Sequence, residues 1–404
     1  MFNLAESINT ETQAKSESAL TGALFYQSQA CLEFVEEAFR FDGLTLSISE
    51  SLQTNNIIKM KKSEDLQLVI LDLTQEKDVA TEAAELSSIL PVNTRVIVLG
   101  CENSITLIRE LREMGLYYVL WPIPRDDFLG YLQSTFDEGT DKKIGLPVRK
   151  AKRIRLIGAK GGVGTTAITT ELSKILSHRG RSSCVMVDHN YWGGNFDIMM
   201  GMTDFQKRNL SLSTVGTGLD SSAAHGLLKR SNSSLSVLSL ASEEKRLGEM
   251  TDYTSAVIKE LTTEFNFVVE DFPLSVGYHS NHLTDSADKL VIILSPTVSA
   301  LRDAGRLQQF LNKSINSAKI TIVLNYIFPP KLATVTQAEI KEYLKHEIDV
   351  VIPYTKNINQ LVLAQDDNKL FQSGFGQAVQ KLANHILGRS CQSHRRGIFG
   401  LKGR

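Results

Sequence analysis

IRLIGAKGGVGTT, residues 154–166, is the stretch on which the fold turns. An apolar strand runs straight into a glycine-rich turn, and the turn opens a helix beginning near Thr165. Glycines at 161, 162 and 164 let the backbone take positive φ and bring its N–H groups close to an anion. The helix N-terminus adds unpaired donors and a partial positive charge. A Gly-rich turn alone could be no more than a tight strand-to-helix connection. Here strand, loop, Lys160, the pair Thr165 and Thr166, and helix follow in the order that a phosphate-binding loop requires.

Outward from the loop, strand and helix alternate in both directions. Downstream, strands are expected near residues 153–158, 183–187, 235–239, 266–270, 289–294 and 319–324, with helices notably at 165–179, 253–264, 300–314 and 336–345. Upstream, residues 66–73 (LQLVILDL) form a near-continuous apolar run, as a parallel strand buried on both faces does. Shorter runs at 23–26, 44–48, 95–99 and 117–120 repeat the theme. Helical patterns lie between them, through Leu32, Val35, Ala38 and Phe39 and then near 52–62, 76–90, 103–114 and 126–136. The expected class is α/β, with two doubly wound, mostly parallel domains. The divisions read as a polar, disordered N-terminus (1–20), a first domain (21–136), a charged Gly- and Pro-containing linker (137–152), a second domain (153–387) and a basic tail (388–404).

At 404 residues the chain suits two domains, and its 42% hydrophobic and 22% charged content is that of a soluble globular protein. The formal net charge of -1 gives no overall field to recruit nucleic acid or anionic lipid. Cys31, Cys101, Cys184 and Cys391 lack metal-ligand spacing and read as reduced thiols of a cytosolic protein. The first residues lack the basic and apolar regions of a signal peptide, and no apolar run approaches the ~20 residues that cross a bilayer. The expectation is a cytoplasmic protein.

The loop resembles the deviant Walker A motif of the ParA/MinD superfamily, KGGxGKT. The resemblance implies that Gly161, Gly162, Val163, Gly164, Thr165 and Thr166 hold the phosphates of ATP. It makes Lys160 the signature lysine that reaches a partner's nucleotide across a homodimer, and Thr166 a ligand of Mg²⁺. Two departures stand out: Thr165 replaces the usual P-loop lysine, and Ala159 replaces the first glycine of the general pattern. Residues 184–201 (CVMVDHNYWGGNFDIMMG) resemble the switch I region, with Asp188 in the first acidic place, at once a catalytic and a metal candidate. Asn190 replaces the second acid, while Asn195 and Asp197 keep their places. Residues 265–273 (FNFVVEDFP) look like Walker B, ending at Asp271, which would hold Mg²⁺ through water. Residues 288–307 match the family segment that follows. Asn325 stands where the family reads the adenine edge, and IPYTKN (352–357) brings Pro353 beside the base, with Thr355 where an Asp is common. Without a lysine at 165 and a second acid at 190, hydrolysis is expected to be slow or absent.

The first domain resembles a response-regulator receiver, with Asp72 at the phospho-acceptor place. The acidic pair after strand one is replaced by FYQSQA (25–30), and Trp121 stands where a lysine should precede Pro122. The hydroxyl position after strand four is Gly100 or Cys101. Asp72 is therefore expected to be a strand-end acid in a pseudo-receiver that docks or dimerises.

A receiver-like domain followed by KGGVGTT resembles the TadZ/CpaE family of tight-adherence pilus assembly proteins. That resemblance implies a nucleotide-dependent homodimer at the cell pole that recruits the pilus secretion ATPase and other Tad assembly proteins, with no specific nucleic acid. Residues 389–404 (RSCQSHRRGIFGLKGR) admit a weak contact with the inner-membrane surface or a merely solvated tail, and the glycines favour the second. Two other readings compete: an active ParA/MinD-type ATPase positioning DNA or other cargo, and a scaffold that binds no nucleotide.

Overall fold

A computed structural model describes residues 21–41, 44–60, 66–136, 149–179, 181–202, 205–209, 219–241, 247–277, 287–314 and 319–388. The N-terminal segment 1–20, most of the expected linker and the tail 389–404 lie outside the described residues. The chain forms two compact units, one within Met1–Ala83 and Thr94–Pro147, the other within Ala84–Asn93 and Val148–Arg404.

Strands β1 (Thr21–Tyr26), β2 (Thr45–Ser51), β3 (Leu68–Asp72), β4 (Arg95–Gly100) and β5 (Tyr117–Leu120) build the first sheet. They alternate with α1 (Gln29–Phe41), α2 (Thr54–Met60), α3 (Val79–Ile89), α4 (Ile105–Glu113) and α5 (Arg125–Phe136). All pairings are parallel, in the order β2-β1-β3-β4-β5. The central strand β3 is buried at every position, which is why its apolar run is unbroken. Leu24, Leu68, Ile70, Ile97 and Leu99 meet Val35, Phe39 and Phe128 of the flanking helices in one core.

The second unit carries β6 (Lys152–Gly158), β7 (Cys184–Asp188), β8 (Arg208–Asn209), β9 (Lys229–Arg230), β10 (Leu235–Ala241), β11 (Phe267–Phe272), β12 (Lys289–Leu294), β13 (Lys319–Asn325) and β14 (Val350–Ile352). Its helices are α6 (Thr165–Lys174), α7 (Phe196–Met200), α8 (Ser221–Gly226), α9 (Leu247–Leu261) and α10 (Leu274–Gly277). They continue with α11 (Val298–Ser314), α12 (Gln337–Leu344), α13 (Ile358–Leu363), α14 (Asp367–Gln372) and α15 (Gly374–Leu387). The strand order is β14-β13-β12-β6-β11-β7-β10-β8, parallel except for β9, which pairs antiparallel with β10. After β6 the chain moves to one side of the sheet and later returns to the other at β12. That reversal opens a crevice beyond the C-terminal end of β6, the usual ligand position in such sheets.

Helix α6 buries Ile168 and Leu172, and one further π-helical turn (Ile175–Arg179) continues the stripe with Ile175 and Leu176. α9 begins at Leu247, six residues before its expected start. α15 is an addition to the expected elements, although Phe375, Ala378, Val379, Leu382, Ala383 and Ile386 recur at helical spacing and are all buried. β6 starts at Lys152, inside the expected linker, with Arg149 and Ala151 already buried.

Candidate functional site

The loop after β6 meets the ends of β7, β11 and β13 in a cleft of about 1140 Å³. Lys160, Gly161, Gly162, Gly164, Thr165, Thr166, Asp188, Asp271, Asn325 and Pro353 all line it, so the fold brings together residues up to almost 200 positions apart. Val163 is the exception among the expected ligands: its side chain is buried in the core, and only its backbone serves the loop. Asn195 lines the cleft at the start of α7, and Asp197 does not.

Backbone geometry makes the cradle. Gly162 and Gly164 have φ of 82° and 92°, in the left-handed region. A Cβ on Gly158 would lie 2.3 Å from the Thr165 hydroxyl, so this last residue of β6 must be glycine. The Ala159 N–H donates to the Ile293 carbonyl at 2.8 Å and ties the loop to β12. Helix α6 then starts after Gly164 with no side chain capping its first N–H groups, which leaves those donors to the cleft. Buried Asn325 donates from Nδ2 to the Val163 carbonyl at 2.8 Å, and a Cβ on Gly164 would stand 2.6 Å from that nitrogen. Its amide N–H thus serves the shape of the loop.

Two positions define the charge of the loop. Thr165 is turned onto Gly158 and brings no cation. Lys160 is exposed, and its Nζ donates to Ser299 Oγ at 3.1 Å, at the start of α11.

The acids sit deeper. Thr166 hydrogen-bonds to the Asp271 carboxyl, which is nonetheless pushed up to about 7, first by burial and then by the neighbouring Asp188 carboxylate. Asp188, only 2% exposed, accepts from the Asn190 N–H at 2.9 Å on Oδ1. Its Oδ2 accepts from Ser239 Oγ at 3.0 Å and from Lys207 Nζ at 2.6 Å. Hydroxyl and carboxylate oxygens are donors that suit Mg²⁺, and a buried carboxyl raised towards neutrality is one that a cation would return to its charged form. Among the described residues no group of three or more His, Cys, Asp or Glu forms a metal cage. A divalent ion here would need oxygens from its own ligand, as an ion carried on a triphosphate has. The glycine cradle and the oxygen donors therefore fit Mg-nucleotide.

Behind both acids lies a buried charge cluster. Glu270 Oε1 accepts from Arg153 Nε and Nη2 at 3.1 and 3.0 Å and from Arg155 Nε at 2.9 Å, and Oε2 meets His189 Nε2 at 3.1 Å. Nδ1 of His189 faces the Tyr191 hydroxyl at 3.0 Å, and the ring stacks on Phe272 at 3.8 Å. Since His189 follows Asp188 and Glu270 precedes Asp271, the cluster fixes the ends of β7 and β11 against each other. Burial pushes the Glu270 carboxyl up, but both guanidinium groups and His189 outweigh burial and hold it well below the usual range.

At the other end of the cleft Pro353, Tyr354, Ile358, Val362 and Leu363 form an apolar wall. Thr355 Oγ1 accepts the Phe375 N–H at 3.1 Å and anchors this loop to α15. Lys207, Ser239, His189 and Glu270 were not among the expected site residues. Lys207 sits in an aperiodic polar stretch, and the buried Glu270 differs from a surface acid only in standing inside an apolar strand run.

In the first unit Asp72 is fully buried and its carboxylate is saturated. Oδ2 accepts from the Gln27 N–H, the Ser28 N–H and the Ser28 hydroxyl at 2.8, 2.9 and 3.1 Å. Oδ1 accepts from the Thr74 N–H and hydroxyl at 3.0 and 2.6 Å. Burial raises its pKa, but these bonds outweigh burial and hold the carboxyl below its ordinary value.

No known protein-family model matches the chain. It is 24% identical over 253 residues to the septum site-determining protein MinD of Bacillus subtilis (strain 168), covering 59% of this chain and 89% of that protein. The MinD of Thermotoga maritima is 28% identical over 215 residues, 51% of this chain and 76% of that protein. Among solved structures, a ParA family ATPase from Chlorobium tepidum TLS superposes with a TM-score of 0.50 at 21% identity, covering 58% of this chain and 99% of that one.

Proposed function

On the premise of a MinD/ParA-type P-loop ATPase, supported by these relatives and by the fold, we propose that this chain binds Mg-ATP and uses it to dimerise, with hydrolysis slow or absent. The observation that carries the reading is the cleft itself: a glycine cradle with open helix N–H donors, two buried acids, and a single loop cation that is exposed. When bound, Mg²⁺ supplies positive charge to the phosphate oxygens. The loop amides would orient those oxygens and Thr166, Asp188 and Asp271 would hold the ion, while Asn325 keeps the loop in register. Thr165 offers a hydroxyl where the family has an ammonium, and Asn190 cannot accept a proton from water, so little stabilises the charge that develops during phosphoryl transfer. Lys160, free of the cleft floor, is available to a second copy.

The proposed biological role is assembly of a tight-adherence pilus at the cell pole, with the dimer recruiting the secretion ATPase and other Tad proteins. Support comes from the pairing of a receiver-like unit, whose Asp72 is closed by five hydrogen bonds, with a loop that has lost its lysine. Among the described residues no helix is long and apolar enough to cross a membrane.

Light scattering with and without Mg-ATP tests the mechanism. The wild type should double in mass and Lys160→Ala should stay monomeric; an unchanged mass throughout would refute it. A second reading, an ATPase that turns over to position cargo, is favoured by likeness to the septum site-determining relatives. It would show steady phosphate release and salt-sensitive retention on DNA.

A further inference from the structure

With Thr165 in the loop, Lys160 is the loop's lysine, and a second lysine lies close behind the cleft wall. Lys207 lies just before β8, 19 residues beyond Asp188, and its Nζ stands 2.6 Å from Asp188 Oδ2. The same ammonium donates to the Asn190 carbonyl, and it lies 6.0 Å from the centre of the Phe196 ring. Asp188, Asn190 and Phe196 all line the cleft, so the lysine is held directly behind its wall. The side chains of Lys207 and Asp188 are 19% and 2% exposed. This is a largely desolvated pair, unlike the flexible ion pairs of a protein surface.

The placement bears on the divalent ion. Asp188 is the acid expected to help hold Mg²⁺, yet Oδ2 already accepts from Lys207 and Ser239, and Oδ1 from the Asn190 N–H. An ion drawing on Oδ2 of this carboxylate meets the ammonium already there and competes with it.

We propose that Lys207 is a resident cation of the nucleotide cleft, competing with a divalent ion for Asp188 and lowering the dependence of nucleotide binding on that ion. The inference rests on the nucleotide reading above. Charge-assisted hydrogen bonds of this kind alter an equilibrium constant by roughly tenfold to a hundredfold. The lysine thus supplies charge from the protein where the altered loop no longer does.

Binding of a fluorescent ATP analogue to the full chain is measured first, in EDTA and in Mg²⁺. The wild type should bind in both, with affinities within about tenfold of each other. Mn²⁺ is then titrated into ATP-saturated protein and followed by electron paramagnetic resonance, for wild type, Lys207→Met and Lys207→Arg. Removing the charge should tighten Mn²⁺ by about tenfold or more, and Lys207→Arg should stay close to wild type. Unchanged or weaker Mn²⁺ binding in Lys207→Met overturns the proposal, as does equal tightening in both variants. Wild-type binding of the analogue only when Mg²⁺ is present overturns it without any variant and leaves the nucleotide reading standing. If the analogue binds under neither condition, the nucleotide reading falls, and this proposal with it.

Discussion

Replacing Glu270 by Gln removes one charge and almost no volume, at the point where the second unit concentrates its buried charge. The carboxylate accepts three bonds from Arg153 and Arg155 at 2.9–3.1 Å and a fourth contact from His189. The Glu270 side chain is 1% exposed and that of Arg155 is 0% exposed. Glutamine retains an oxygen but leaves two guanidinium charges in the interior with no anion at that position. Breaking a buried pair in this way costs about 3–5 kcal/mol, a large part of the ~5–15 kcal/mol that a domain has. The effect should appear in one unit only. Trp121 belongs to the first unit and Trp192 to the second, so denaturant unfolding followed by fluorescence in a Trp121→Phe background reports the second unit alone. The midpoint should fall with the slope unchanged. The Glu270 carboxyl titrates below its unfolded value, so its contribution is complete above about pH 4.3 and is lost as pH falls towards the folded pKa. The gap between wild type and Glu270→Gln should therefore be level from pH 8 to about 5 and narrow below about 4. A cost under about 1 kcal/mol, or a gap that widens in acid, would refute the account of the cluster.

Two further outcomes follow from the site and the first unit. Thr165→Lys restores an ammonium to the loop and should tighten ATP by about tenfold in a fluorescence titration, with measurable phosphate release; unchanged affinity would mean that position 165 does not face the phosphates. Asp72→Asn loses the charge that organises five donors, and should cost the first unit about 2–3 kcal/mol, read from Trp121 in a Trp192→Phe background. The wild type should take up no phosphoryl group from acetyl phosphate, and labelling at Asp72 would refute the saturated-carboxylate argument.

The expected strands fall within one or two residues of the observed ones for β3, β4, β7 and β12, because each is a buried run whose pattern is set by nearest neighbours. The glycine turn was equally legible, since its glycines and the helix start lie in residues 158–166, whereas the Asn325 amide that braces it lies far along the chain. α9 starts earlier than expected because Leu247 and Met250 extend its apolar face past a segment with weak local signals. β14 is only three residues long, too short to carry a period.

Sequence by itself determined the two doubly wound units and the glycine-rich loop with Thr165 at its end, because strand burial, turn chemistry and helix start are properties of short contiguous stretches. Tertiary structure alone decided that Lys207 lies against Asp188, that Asn325 braces Val163, and that Glu270 gathers Arg153, Arg155 and His189. Partners 19 to 162 residues apart meet only when the sheet is assembled. A charge on a short segment carries no local mark of the charge it will face.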